Sequence, residues 1–205
     1  MAETDVSICA RSLVLLGARP INALSEETDN ARLCGLVYPN LKNSIMSRYG
    51  WRFLMKKAAL TRDATAPINE WAYAYLIPGD ALSVPHAIFY SQGDKIAAGD
   101  FEVFGRRVYS DNAVMFMDYV TARPESEWPA WFVDLMTKAL CAEIAFSVTD
   151  QQSVADNWTY RAYGTPSENG IGGAMGDCMT IDSQGNANIG FDDDAFVMAR
   201  FGGVY

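Results

Sequence analysis

At 205 residues, half of them hydrophobic, the chain can bury the core of one large domain, or of a domain with an inserted subdomain. Its formal charge of -9, with only 16 Lys plus Arg, leaves little from which to build the cationic patch that grips duplex nucleic acid. No stretch approaches the ~18 apolar residues of a membrane span. Glu3 and Asp5 precede only a short apolar run, Leu13 to Leu16, so no secretory signal is expected and the protein should be soluble and made in the cytoplasm.

The first predicted element is a helix from Asp5 to Leu16, capped by Thr4 or Asp5, with Val6, Cys9, Ala10, Leu13 and Leu16 along one side. Gly17 suits its left-handed stop. A second helix is expected from Ser25 or Glu26, with Glu26, Glu27 and Asp29 favourably placed in its first turns. Ala31, Cys34, Tyr38, Leu41, Ile45 and Tyr49 share a face, and Gly50 ends it. Pro39 should kink this helix near Gly35 or split it into two collinear pieces.

From Trp51 to Val120 the period becomes two. Trp71, Tyr73, Tyr75 and Ile77 alternate with Ala72, Ala74 and Leu76, and Met115, Met117 and Tyr119 alternate with Val114, Phe116 and Asp118. Turn signals at Pro78-Gly79-Asp80, Gln92-Gly93-Asp94, Gly105-Arg106 and Asp111-Asn112 divide the region into four to six short antiparallel strands.

A third helix opens near Pro129, with Ser126 or Glu127 as its cap, and Trp131 to Val148 is apolar nearly all round apart from Asp134, Lys138 and Glu143. A fourth runs from Gln151 to Tyr163 and stops at Gly164-Thr165-Pro166. The predicted class is α+β: a bundle of about four helices (1–50 and 121–163), an inserted antiparallel β-rich subdomain (51–120) and an extended, glycine-diluted C-terminal arm (164–205). Phe191, Phe196, Val197, Phe201 and Tyr205 are apolar anchors by which that arm could dock on another surface.

Chemical candidates are few. His86 is the single histidine and no nucleophile motif accompanies it. Glu143, within apolar surroundings, is expected to pair with Arg11, Arg32 or Arg161. Gly170 to Gly176 is preceded by a helix end and a proline instead of a strand, and its third glycine spacing is wrong for a dinucleotide loop. Asp192, Asp193 and Asp194, with Asp182, Asn186 and Asn188 upstream, read as a solvated acidic stretch rather than a calcium cage. Cys9, Cys34, Cys141 and Cys178 lack metal-binding spacing and read as buried free thiols. Arg106 and Arg107, at a predicted hairpin tip, are either a solvated turn or a cationic contact for a partner's acidic surface or a phosphate. No catalytic residue, metal or cofactor is expected.

The order of these features resembles the tail tubular protein A family of short-tailed bacteriophages, the head-to-tail adaptors. The resemblance rests on Leu13 to Ile21, on Leu24, and on the helix from Ala31 through Tyr38-Pro39 to Gly50-Trp51-Arg52-Phe53. Ala58-Ala59-Leu60, Tyr73 to Leu82 with its Pro78-Gly79-Asp80 turn, and Glu127-Trp128-Pro129-Ala130-Trp131-Phe132 complete it, over roughly residues 5 to 163. After Gly164 the chain departs from the family, which tends to carry more helix there. The resemblance implies a structural virion protein, a ring of twelve subunits between the portal protein and the tail nozzle, whose lumen passes DNA without sequence-specific binding. It implies residence at the head-tail junction of the virion, and no membrane contact. Another connector ring, such as a head-completion protein, and a small acidic enzyme using Glu143 or His86 are the alternative readings.

Overall fold

The computed structural model describes residues 2–94 and 97–185. The helical body begins with α1, Asp5–Leu15. Thr4 caps it: its Oγ1 accepts from the Ser7 amide at 3.1 Å while Ser7 Oγ accepts from the Thr4 amide at 2.9 Å. Ile8, Cys9, Ser12 and Leu13 are its buried residues. Ser12 fits inside because its hydroxyl donates to Ile8 O at 2.9 Å, with Thr137 O 3.2 Å away. Gly17 takes the expected left-handed φ of +77°.

The second helix, α2, spans Asp29–Arg48 and does not start at Ser25 or Glu26. Glu26 turns its carboxylate back onto the amides of Asn22 and Ala23, at 2.6 and 3.1 Å, which closes a local turn instead. Thr28 is the cap, accepting from the Ala31 amide at 3.2 Å. Pro39 neither splits nor ends α2, which is helical throughout. Pro39 and Gly35 both lie on its exposed side, so the carbonyl that loses its amide partner faces water. Ala31, Cys34, Tyr38, Leu41 and Ile45 form the buried face as the periodicity predicted.

After α2 the chain turns at Trp51 through a short 3-10 segment, Arg52–Leu54. Trp51 is fully buried, and its indole N–H donates to the Ile45 carbonyl at 2.9 Å. That carbonyl lies in the last turn of α2, where main-chain acceptors lack amide partners. Around the indole stand Tyr49, Phe53, Trp131 and Phe132, with ring centroids 4.9 to 6.4 Å from it.

Among the described residues seven strands follow: β1 Met55–Ala59, β2 Thr61–Arg62, β3 Tyr73–Leu76, β4 Ala87–Phe89, β5 Glu102–Phe104, β6 Arg107–Ser110 and β7 Phe116–Val120. They form two antiparallel sheets, ordered β1-β7-β4 and β2-β3-β6-β5. This exceeds the expected four to six because β2 and β4 are too short to display a two-residue period. The alternation in 114–119 holds: Met115, Met117 and Tyr119 are buried, and together with Leu60, Tyr75, Ile88 and Val108 they form a core between the sheets. The Pro78-Gly79-Asp80 turn ties the insertion together. Asp80 takes Lys56 Nζ on one oxygen at 2.8 Å and Tyr119 OH on the other at 3.0 Å.

The chain re-enters the body through a 3-10 turn, Glu125–Glu127, and α3, Ala130–Thr149. Ser126 and Glu127 belong to that turn and do not cap α3. Pro129 holds the cap position, and its carbonyl accepts from Phe132 and Val133. Ten residues of α3 are buried, the central-helix character its composition predicted. The next helix, α4, spans Gln152–Tyr163 and packs against α3.

The stretch from 164 is not an extended arm throughout. A fifth helix, α5, runs Gly173–Ser183 and buries Ala174, Met175 and Cys178 against the body. Its glycines hid it in the sequence, yet they are what lets it dock. Gly173 has φ +54°, and a Cβ there would lie 2.8 Å from Arg161 O and 2.9 Å from Tyr160 O.

Two stability outcomes follow from this packing. Trp51→Phe leaves the Ile45 carbonyl without its donor and removes part of the aromatic surface, and should cost about 2–3 kcal/mol, read as a lower urea midpoint at unchanged slope. Gly173→Ala should cost about 2–4 kcal/mol, because backbone strain and a backbone clash add, and should raise amide exchange in α5 first.

Candidate functional site

His86 is exposed and its amide donates to Asp118 O at 2.8 Å. Its imidazole lies over Gly50, where a Cβ would sit 2.6 Å from Nδ1. Together with Tyr49, Arg52, Met55 and Asp118 these residues line a cleft of about 300 Å³ where the insertion leaves the helical body. Asp118 Oδ1 is buried there without a hydrogen bond, with Lys57 Nζ 3.6 Å away as its ion-pair partner. Among the described residues no serine, threonine or cysteine lines the cleft, and its one hydroxyl-bearing side chain is Tyr49.

Glu143 is not the buried, arginine-paired carboxylate expected. It is exposed, on a side of α3 that α2 and α4 leave open. The three arginines proposed for it are engaged elsewhere. Arg11 pairs with Glu3 at 2.8 Å, Arg32 reaches Asp29 at 3.9 Å, and Arg161 lies 4.9 Å over the Trp158 ring. The near-uniform apolar composition of α3 concealed this opening.

The glycine segment after α4 holds a carboxylate of the chain itself. Glu168 Oε2 accepts from the Thr165 amide and hydroxyl, each at 2.6 Å, and a Cβ on Gly172 would meet that carboxyl at 2.5 Å. Those two hydrogen bonds hold the Glu168 carboxyl below its ordinary pKa. A phosphate at this point would face an anion, so the segment serves as the turn between α4 and α5.

Arg106 and Arg107 do mark the predicted hairpin, with Gly105 at φ +59° between β5 and β6. Both guanidinium groups bond within the insertion. Arg106 donates to Pro78 O at 2.8 Å, and Arg107 donates to Asp63 at 2.8 Å. The Thr65 amide and then Arg107 hold the Asp63 carboxyl below its usual range. On the same row of the sheet, Leu76 and Phe104 flank Arg107, and Phe104 is 73% exposed.

Asp182 is not available to a cation either. It is buried and accepts from the Arg52 amide at 3.2 and 3.0 Å. Asn186, Asn188, Asp192, Asp193, Asp194 and the docking candidates Phe191, Phe196, Phe201 and Tyr205 lie outside the described residues. All four cysteines are free and buried. Burial pushes the Cys141 thiol up to about 11 and Cys178 up to about 12, so both are protonated and poorly nucleophilic at neutral pH. Among the described residues no three His, Cys, Asp or Glu side chains are grouped to hold a metal ion, and no helix is long and apolar enough to cross a membrane.

The feature missed in the sequence is a groove. Between α2, α3 and α4 lies a cavity of about 550 Å³, joined through Leu41, Ser44 and Glu143 to a second of about 360 Å³. Leu36 and Tyr160 stand on its rim, 74% and 59% exposed. Burial pushes the Tyr163 phenol in its wall up to about 12. Leu36 falls outside the core-facing stripe of α2, which is the one signal the sequence offered. No family model matches the chain, and no curated protein matches it.

One charge cluster fastens the body at its centre. Glu125 accepts from Lys42 Nζ at 2.7 Å and Tyr38 OH at 3.0 Å, and Lys42 also lies 5.3 Å over the Trp128 ring. Burial pushes the Glu125 carboxyl up, but Lys42, the backbone and Tyr38 together hold it below its ordinary value. A carboxyl lowered on folding contributes stability that is present above its unfolded pKa and lost as pH falls through the folded one. Glu125→Gln should therefore cost on the order of 1 kcal/mol at pH 7, and the gap to the unsubstituted protein should close below the ordinary carboxylate range, measured by urea titration at stepped pH.

Proposed function

We propose that the protein is a structural virion component, a head-to-tail adaptor that forms a ring between a portal and a tail nozzle and lengthens the DNA channel. The observation that carries this reading is the order of elements among the described residues: two helices, an inserted pair of antiparallel sheets, then three further helices. That is the arrangement implied by the resemblance to tail tubular protein A.

The surface supports the same reading. A ring closes through two different patches that meet head to tail around a rotation axis. Among its exposed apolar side chains, Leu76 and Phe104 lie on the insertion and Leu36 and Tyr160 on the helical body, in unlike surroundings. Such side chains are costly on a monomer and useful at an interface. A net charge of -9 suits a wall past which a polyanion slides, since like charge opposes adhesion. Another connector ring, such as a head-completion protein, shares this logic and differs in its position relative to the portal.

The purified protein mixed with its portal should give rings of the portal's diameter by negative-stain microscopy. Persistent monomers that never sediment with portal would sink the proposal.

A further inference from the structure

We propose that the groove between α2, α3 and α4 receives the β5-β6 hairpin of a second copy of this chain, so that each molecule grips the next through its insertion. The inference rests on the ring proposed above and supplies its subunit contact.

The hairpin has the form of an inserted element. Two residues, Gly105 and Arg106, join β5 to β6, with Phe104 opposite Arg107. That is the tightest common hairpin connection, and its strands lie only about 5 Å apart. Phe104, Arg107 and Leu76 form one cross-strand row, with Phe104 and Leu76 both exposed. Asp63 neutralises Arg107. Arg106 instead donates to the uncharged Pro78 carbonyl and has no carboxylate within ion-pair distance among the described residues. It therefore keeps its charge unmatched and its other N–H groups available.

The groove offers the complementary set. Its wider part, about 550 Å³, has Leu41, Tyr160 and Tyr163 in its walls, room and surface for a phenyl ring. Glu143 stands where the two cavities join, and Asp156 lines the wider one. Neither carboxylate has a cation within ion-pair distance among the described residues; Asp156 accepts from Gln152 Nε2 at 2.8 Å. The groove's own cation, Arg48, is held at one end, 5.5 Å over the Tyr163 ring and beside Gly170. The middle of the groove is thus anionic where Arg106 would bring a cation, and apolar where Phe104 would bring a ring.

The occupant is another copy because both halves stand open in the same molecule. Phe104 and Leu36 are each about three-quarters exposed, at 73% and 74%, so the contact is not made within one chain. A chain that carries both halves repeats the contact with each neighbour, and a repeat that closes by rotation is a ring. An aromatic side chain in a pocket beside an arginine is also the composition that dominates interface energies.

The test uses the full chain. Phe104→p-benzoylphenylalanine keeps an aromatic ring and every charge. An equal mixture of light and heavy isotope-labelled protein is assembled with portal, inspected for rings by negative-stain microscopy, irradiated, and its cross-linked peptides are mapped by mass spectrometry. The expected result is cross-links to residues 36–48 or 156–166, joining light to heavy as often as like to like. Cross-links within one isotope only, cross-links to another hairpin or to portal, or no cross-link would overturn this contact. If rings are nevertheless present, the adaptor reading survives that failure. Groove cross-links without rings would uphold the contact and remove the adaptor reading. A second readout uses two exposed positions. Arg106→Glu should cut ring yield at least about fivefold, and adding Glu143→Arg to the same chain should restore it. A double variant no better than Arg106→Glu alone would also overturn the contact.

Discussion

One hydrogen bond organises this molecule: the Trp51 indole N–H on the Ile45 carbonyl. A helix that ends inside a protein must find donors for its last carbonyls, or lose the energy of burying them. Here the donor comes from the residue that also turns the chain toward the sheets. The same indole is the centre of the aromatic group that receives the start of α3, through Trp131 and Phe132. End of α2, entry to the insertion and return of the chain therefore meet at one side chain. In the sequence Gly50 marks only the end of a helix; the aromatic residues of Trp51-Arg52-Phe53 make the place a fixed corner.

Much of the fold is legible in the residues because it follows from local chemistry. Thr4 with Ser7, the stripe of α2 and the alternation from Met115 to Tyr119 each depend on neighbours a few positions away. What escapes such reading depends on distant contacts. Glu26 is a good first-turn acid whose carboxylate closes a different turn. The glycines of α5 argue against a helix until Arg161 and Tyr160 carbonyls are brought against Gly173. Glu143 looks buried because its sequence neighbours are, while the space beside it is left open by two other helices. Of the candidate site, the hairpin of Arg106 and Arg107 was visible, but not that Pro78 and Asp63 hold both side chains.

The use of charge is consistent across the molecule. Lys42, Lys56, Arg107, Arg123 and Lys138 each lie within ion-pair distance of a carboxylate in their own neighbourhood. Most of these pairs are surface contacts worth little individually. Their collective effect is on the outward field: these cations are matched locally, and at a net charge of -9 the carboxylates dominate the rest.

The strand β7 has one further consequence. Tyr119 is buried in the core between the sheets, and Val120, the next residue, is buried in the core of the helical body. No linker separates the two cores; a single peptide bond does. A push on the sheets is thus delivered to α3 and its neighbours as strain along a strand, without slack to absorb it. Such a part transmits load like a bracket, and its weak point under force is the ladder that joins β7 to β1 and β4.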